Sequence, residues 1–224
     1  MTLPKSNLAA SQDAAIGLLR AVRVLPVVTI ESAAQGVAVA RALRDGGLGA
    51  IEVTLRTPAA LDAIAAIRRD VPDVALGAGT VLNAAQIAAA RTAGATFLVT
   101  PGTPPALADA LAGSGLPAVP GAATPGELIA LAALGFRVAK LFPAAAIGGL
   151  ALVRALQGPL GDLRLCPTGG IREADAAAYL AEKNVVAVGG SWMVPSAWIA
   201  AGDFARVADA ARRAADLARG VVET

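Results

Sequence analysis

Eight times along the chain, a short apolar run is followed by an alanine-rich stretch long enough for a helix. The runs fall at residues 24–30, 50–54, 74–77, 96–100, 117–120, 137–141, 163–166 and 185–188, after a leading helix over about 7–20. Runs this short and this apolar suit strands covered on both faces, and repeated strand–helix units imply parallel strands joined by right-handed crossovers. The 224 residues allow about 28 per unit, enough for a strand, a helix and two short loops. The pattern therefore predicts one α/β domain over 1–224, a (β/α)8 TIM barrel with an extra N-terminal helix. A doubly wound open sheet is the alternative, but no GxGxxG follows the first strand to support it.

Local signals punctuate the same units. Glu31-Ser32 precedes a helix over 33–45, Asn83 one over 84–93, and Thr124-Pro125 one over 126–134. Pro58 falls at the expected first position of a helix over 59–69. Gly46-Gly47, Gly94 and Gly135 stand where helices should stop. The last helix, over about 204–218, carries arginines and aspartates on one polar face.

Composition then removes several kinds of chemistry. The chain has no histidine and one cysteine, Cys166. A Ser-His-Asp triad, a Cys-His dyad, an imidazole metal ligand, an internal disulfide and a cysteine-rich zinc site are all ruled out, and a metal centre is not expected. The net charge of +2 is too small to imply nucleic acid, and the basic stretch 206–219 is broken by Asp209 and Asp216, as on a solvated helix face. Charged residues make up only 16% of the chain, against about 25% in an average domain, which points to surface covered by other subunits. No apolar run approaches the roughly 18 residues of a membrane span, and the N-terminus lacks a signal-peptide pattern. A soluble, cytoplasmic protein is expected.

In a barrel of this kind the chemistry sits at the carboxyl ends of the strands. Lys140 stands out there. It lies in the apolar strand pattern Phe136-Arg137-Val138-Ala139-Lys140-Leu141, whereas Lys5 and Lys183 lie in polar settings. An apolar environment disfavours an ammonium, and a free amine can attack a carbonyl to form an iminium. The plainer alternative is a lysine that snorkels to water. Glu52 interrupts another apolar run, Gly49-Ala50-Ile51-Glu52-Val53, and reads as an acid/base group or as the partner of Arg56 in an ion pair. Arg56 can alternatively bind an anionic substrate. Thr168-Gly169-Gly170 and Gly189-Gly190-Ser191 follow the last two strands, where barrels commonly hold phosphate through backbone amides, unless they are merely tight turns. Cys166, Trp192, Trp198 and Tyr179 read as packing residues.

Taken together, Glu52-Val53-Thr54-Leu55-Arg56-Thr57, Gly77-Ala78-Gly79-Thr80-Val81-Leu82-Asn83, Thr100-Pro101-Gly102, Lys140-Leu141-Phe142-Pro143-Ala144, Cys166-Pro167-Thr168-Gly169-Gly170-Ile171 and Gly189-Gly190-Ser191-Trp192 resemble the 2-keto-3-deoxy-6-phosphogluconate (KDPG) aldolase family. The segments run in family order across most of the chain. The resemblance implies a cofactor-free class I aldolase of the Entner–Doudoroff pathway, a homotrimer acting on a phosphorylated keto-acid. It also implies that Lys140 is the Schiff-base lysine and Glu52 the general acid/base. Arg56 and Thr80 then hold the keto-acid end, Pro101 and Phe142 line the pocket, and Thr168, Gly169, Gly170, Gly190 and Ser191 face the phosphate. Ala145 and Ala146 stand where many relatives carry an acidic residue, and Ala84 where many have proline. Sister enzymes acting on 4-hydroxy-2-oxoglutarate or the galactonate-derived analogue, and a non-catalytic phosphosugar-binding barrel, are the alternative readings.

Overall fold

The computed structural model describes residues 5–221, with side chains from residue 8 onward, so the Lys5 side chain lies outside the described residues. All strand pairings are parallel. Helix α1 spans Lys5–Val22 and leads into β1, Val24–Val28. Then follow α2 (Ala33–Asp45), β2 (Ala50–Thr54), α3 (Ala60–Asp70), β3 (Ala75–Gly79), α4 (Ala84–Ala93), β4 (Phe97–Val99) and α5 (Pro105–Ala112). The second half holds β5 (Ala118–Val119), β6 (Gly121–Ala122), α6 (Pro125–Leu134), β7 (Val138–Leu141), α7 (Gly149–Ala155), β8 (Arg164–Pro167), α8 (Glu173–Leu180), β9 (Val188–Gly190), α9 (Ser196–Ala200) and α10 (Phe204–Gly220). The strands form a six-stranded sheet ordered β5-β4-β3-β2-β1-β9 and a three-stranded sheet ordered β6-β7-β8. Isolated parallel bridges join Leu165 to Val185 and Thr168 to Gly189. The result is an α/β fold with a curled parallel sheet.

Capping explains several helix boundaries. The side chains of Ser32, Asn83 and Thr124 accept hydrogen bonds from the backbone N–H groups of Gln35, Gln86 and Glu127. Thr124 and Glu127 complete a reciprocal capping box, worth about 1 kcal/mol for its N-cap half. Gly94 and Gly135 close α4 and α6 in the left-handed conformation, where a Cβ would be strained. The expectation for Pro58 fails: α3 begins at Ala60, with Pro58 in the turn before it and no side-chain cap.

The strand expectations shift where glycine and proline intervene. The expected strand 117–120 is split, because Pro120 has no N–H to give the ladder. Its carbonyl still accepts from the Lys140 N–H at 2.8 Å. The third strand runs on to Gly79 and the last lies at Val188–Gly190 rather than 185–188. Glycine is disfavoured in strands by propensity, so glycine-rich ends look like loops in sequence. Here close approach demands it. A Cβ at Gly77 would overlap the Phe97 ring, and one at Gly79 would overlap the Glu52 carboxylate.

Alternation along the strands separates two cores. Val24, Val28, Ile51, Val53, Leu98, Leu141 and Leu165 pack outward with the helices. Leu25, Ala50, Phe97, Val99, Val138 and Cys166 pack inward with Leu19 of α1. Glu52 lies two residues from Ala50 and Lys140 two from Val138, so both side chains point inward. Helix α1 is tied to the amino ends of the strands by Gln12. This fully buried residue donates to the Ala118 carbonyl (3.0 Å) and accepts from the N–H groups of Arg137 (2.9 Å) and Val138 (3.2 Å). That end is therefore plugged, and the inward polar pair lies toward the carboxyl ends.

Candidate active site

The centre of the site is a buried ion pair. Lys140 is 4% exposed and Glu52 1%, and Lys140 Nζ lies 3.1 Å from Glu52 Oε1 and 3.5 Å from Oε2. Such a pair loses much of its Coulomb gain to desolvation and is weak evidence for a stabilising role. β7 supplies the lysine, β2 the glutamate, and the bare backbone of Gly79 on β3 the space for the carboxylate. Lys140 Nζ also lies 5.3 Å from the centre of the Phe142 ring. The Phe142–Pro143 bond is cis. Cys166 is the register partner of Lys140 on β8, and burial pushes its thiol up to about 12; the nearby Lys140 charge pulls the other way. The thiol stays protonated at neutral pH and offers no nucleophile.

Above the pair opens a cavity of about 560 Å³. Lys140, Arg56, Phe142, Thr168, Gly169, Gly170, Gly190 and Ser191 line it. Glu52 is not on the wall but touches Lys140 Nζ, which is. Thr80 is off the wall, but its Oγ1 accepts a hydrogen bond from Arg56 Nε at 3.1 Å. Thr80 has a φ of 56°, a left-handed value uncommon for a threonine. Arg56 therefore pairs with Thr80, not with Glu52, and the alternative ion pair does not form. Pro101 is not on the cavity wall; its backbone packs against Gly121. Among the described residues on the wall the charged ones are Arg56 and Lys140, so the cavity favours an anionic guest. Lys183 lies elsewhere, with Arg20, Arg23 and Arg164, around a smaller cavity where β8 and the chain before β1 begin.

The sequence reading missed part of the wall. Thr29, Ile171, Val194, Pro195 and Ser196 line it, and so does Trp192, read above as packing. The Trp192 ring occupies the space a Cβ at Gly190 would need, which explains that glycine without any ligand. Gly189 likewise makes room for the Thr168 side chain. Val194, Pro195 and Ser196 lie beyond the Gly189-Gly190-Ser191-Trp192 segment and carry no motif; only their place after a last strand marks them.

Comparison with known proteins agrees with this arrangement. The model of the family described as KDPG and KHG aldolase matches residues 16–210. The chain belongs to this aldolase family. It is 48% identical to the 2-dehydro-3-deoxy-phosphogluconate aldolase of Treponema pallidum, over 84% of this chain and 90% of the relative. It is 44% identical to the KHG/KDPG aldolase of Escherichia coli, over 88% of this chain and 92% of the relative. Among solved structures, KDPG aldolase from Legionella pneumophila, with pyruvate captured at low pH as a covalent carbinolamine intermediate, superposes with a TM-score of 0.86 at 36% identity. That match covers 88% of this chain and 96% of the other.

Proposed function

We propose that the chain is a Schiff-base aldolase that cleaves 2-dehydro-3-deoxy-6-phosphogluconate to pyruvate and glyceraldehyde 3-phosphate in the Entner–Doudoroff pathway. The observation that carries this reading is the buried Lys140–Glu52 contact of 3.1 Å at the floor of a cationic cavity. The carboxylate takes a proton from Nζ, and the free amine attacks the C2 ketone. Glu52 returns that proton to the carbinolamine hydroxyl, which leaves as water and gives an iminium. Glu52, through a water, accepts the C4 hydroxyl proton as the C3–C4 bond breaks, and the bonding electrons flow into the iminium to give an enamine. Glyceraldehyde 3-phosphate departs. Glu52 returns a proton to C3, and hydrolysis releases pyruvate and the lysine. Arg56, held by Thr80, binds the keto-acid carboxylate. Thr168, Gly169, Gly170, Gly190 and Ser191 take the phosphate end, and Phe142 closes one side.

Borohydride reduction in the presence of pyruvate, followed by peptide mass mapping, tests the reading: a pyruvyl adduct is expected on Lys140. No adduct, with phosphosugar still bound, would favour the non-catalytic barrel. The Escherichia coli relative is a KHG/KDPG aldolase, which supports 4-hydroxy-2-oxoglutarate as a second substrate. Cleavage rates on this compound, the gluconate-derived substrate and the galactonate-derived one rank the three.

Two smaller effects follow. Arg56→Lys keeps the charge but loses the planar donor pair that serves both Thr80 and a carboxylate, so KM for the keto-acid should rise roughly 10-fold with a smaller change in kcat. Gly79→Ala places a methyl on the Glu52 carboxylate and should lower kcat roughly 10- to 100-fold by displacing it. Steady-state kinetics read both, and an unchanged kcat in Gly79→Ala would show that the position of Glu52 is not critical.

We further read residues 1–224 as one domain and the two sheets as one closed (β/α)8 barrel. Support comes from the strand halves β5 and β6 either side of Pro120 and from the bridges linking β8 to the β9 segment. Among the described residues no helix is long and apolar enough to cross a membrane. A cytoplasmic enzyme suits a phosphorylated metabolite. Exposed Leu82, Ile129 and Leu134, with the sparse charge, support a homotrimer, which sedimentation velocity would measure.

A further inference from the structure

We infer that Thr29 is a specificity residue that reads a hydroxyl group of the substrate, through a hydrogen bond it can only accept. This deepens the aldolase reading and rests on it. Thr29 follows β1, is exposed, and lines the cavity. Its Oγ1 lies 3.0 Å from Thr54 Oγ1. Thr54 is fully buried, and its hydroxyl donates to the Val28 carbonyl at 3.0 Å. A hydroxyl has one hydrogen. That of Thr54 is committed to Val28, so the hydrogen between the two threonines belongs to Thr29, and Thr29 donates inward to Thr54. What Thr29 then turns to the cavity is a pair of acceptor lone pairs.

An oriented acceptor selects its guest. A carboxylate or a phosphate brings only acceptors when ionised and gains nothing at Thr29; a substrate hydroxyl brings the donor the site lacks. The placement fits. β1 lies between β2 and β9, so Thr29 stands between Arg56, which follows β2, and Gly190-Ser191 at the end of β9. A chain with a carboxylate at one end and a phosphate at the other carries its hydroxyls between them. One of these takes part in bond breaking. The other becomes the hydroxyl next to the carbonyl of the aldehyde product, and it is this group that Thr29 reads.

The experiment compares aldol addition of pyruvate to glyceraldehyde and to 3-hydroxypropanal, which lacks only that hydroxyl. Thr29→Val removes the acceptor at nearly constant shape and leaves Thr54 bonded to Val28. It should lower kcat/KM for glyceraldehyde roughly 10-fold while leaving 3-hydroxypropanal unchanged. Thr29→Ser keeps the acceptor and should restore the preference for glyceraldehyde. Equal losses for both aldehydes would reduce Thr29 to a structural role, and no loss for either would remove it from recognition; both outcomes overturn the inference. Pyruvate trapping on Lys140, measured in the same preparations, separates the two levels. If trapping is absent in the unsubstituted protein, the aldolase reading itself has failed.

Discussion

Lys140→Met is expected to abolish measurable turnover, a loss on the order of 10^6-fold or more, because covalent attachment of the ketone supplies the electron sink on which cleavage depends. Methionine matches the length of the lysine stem and should keep the packing beside Val138 and Phe142. The charge is another matter. Glu52 is 1% exposed, and its removal from an ion pair leaves a buried carboxylate without a counter-charge. Breaking a buried pair in this way costs about 3–5 kcal/mol. The variant should fold, with native circular dichroism, yet melt about 10 °C lower. Adding Glu52→Gln in the Lys140→Met background should recover much of that loss and none of the activity. Stability and catalysis are thereby separated. A Lys140→Met protein that still cleaves the keto-acid at the original rate would rule out the Schiff-base route. One whose melting is unchanged would show that the pair carries less buried charge than its exposure indicates.

The same pair shows what could be read from residue order alone. Lys140 and Glu52 were visible because each breaks an apolar run. Their partnership came from the resemblance to the aldolase family; spacing along β2 left a Glu52–Arg56 pair open, and the facing of β7 toward β2 brings the lysine to the glutamate and leaves Arg56 to Thr80. Glycine misled in both directions. Gly190 read as a turn or phosphate signal and Gly79 as lying past the end of its strand, yet each is fixed by a side chain that occupies its Cβ space, Trp192 in one case and Glu52 in the other. Helix ends marked by Ser32, Asn83 and Thr124 were legible because capping is local chemistry. The split at Pro120 is local chemistry too, but the wall contributed by Thr29 and Ser196 depends on what lies across the sheet, and no local pattern announces it.

Glu52→Gln is expected to lower kcat on the order of 10^3-fold, the middle of the range that one positioned acid/base group contributes. Glutamine keeps the shape, and its amide oxygen can still accept from Lys140 Nζ, now 3.1 Å from Oε1 of the glutamate. It cannot carry a proton. Four transfers assigned to Glu52 fail together: from Nζ before attack, to the carbinolamine hydroxyl, from the C4 hydroxyl during cleavage, and to C3 of the enamine. The last can be watched without the aldehyde. In deuterated water the unsubstituted enzyme should exchange the methyl hydrogens of pyruvate, because enamine formation and return move a proton at C3. Nuclear magnetic resonance should then show exchange falling with kcat in Glu52→Gln, while slow borohydride trapping of pyruvate on Lys140 persists. Gly79→Ala should fall between the two proteins, since its carboxylate is present but displaced. Exchange at the unsubstituted rate in Glu52→Gln would assign the proton transfer to another group, leaving Glu52 as the counter-ion that keeps a charged lysine soluble in an apolar barrel wall.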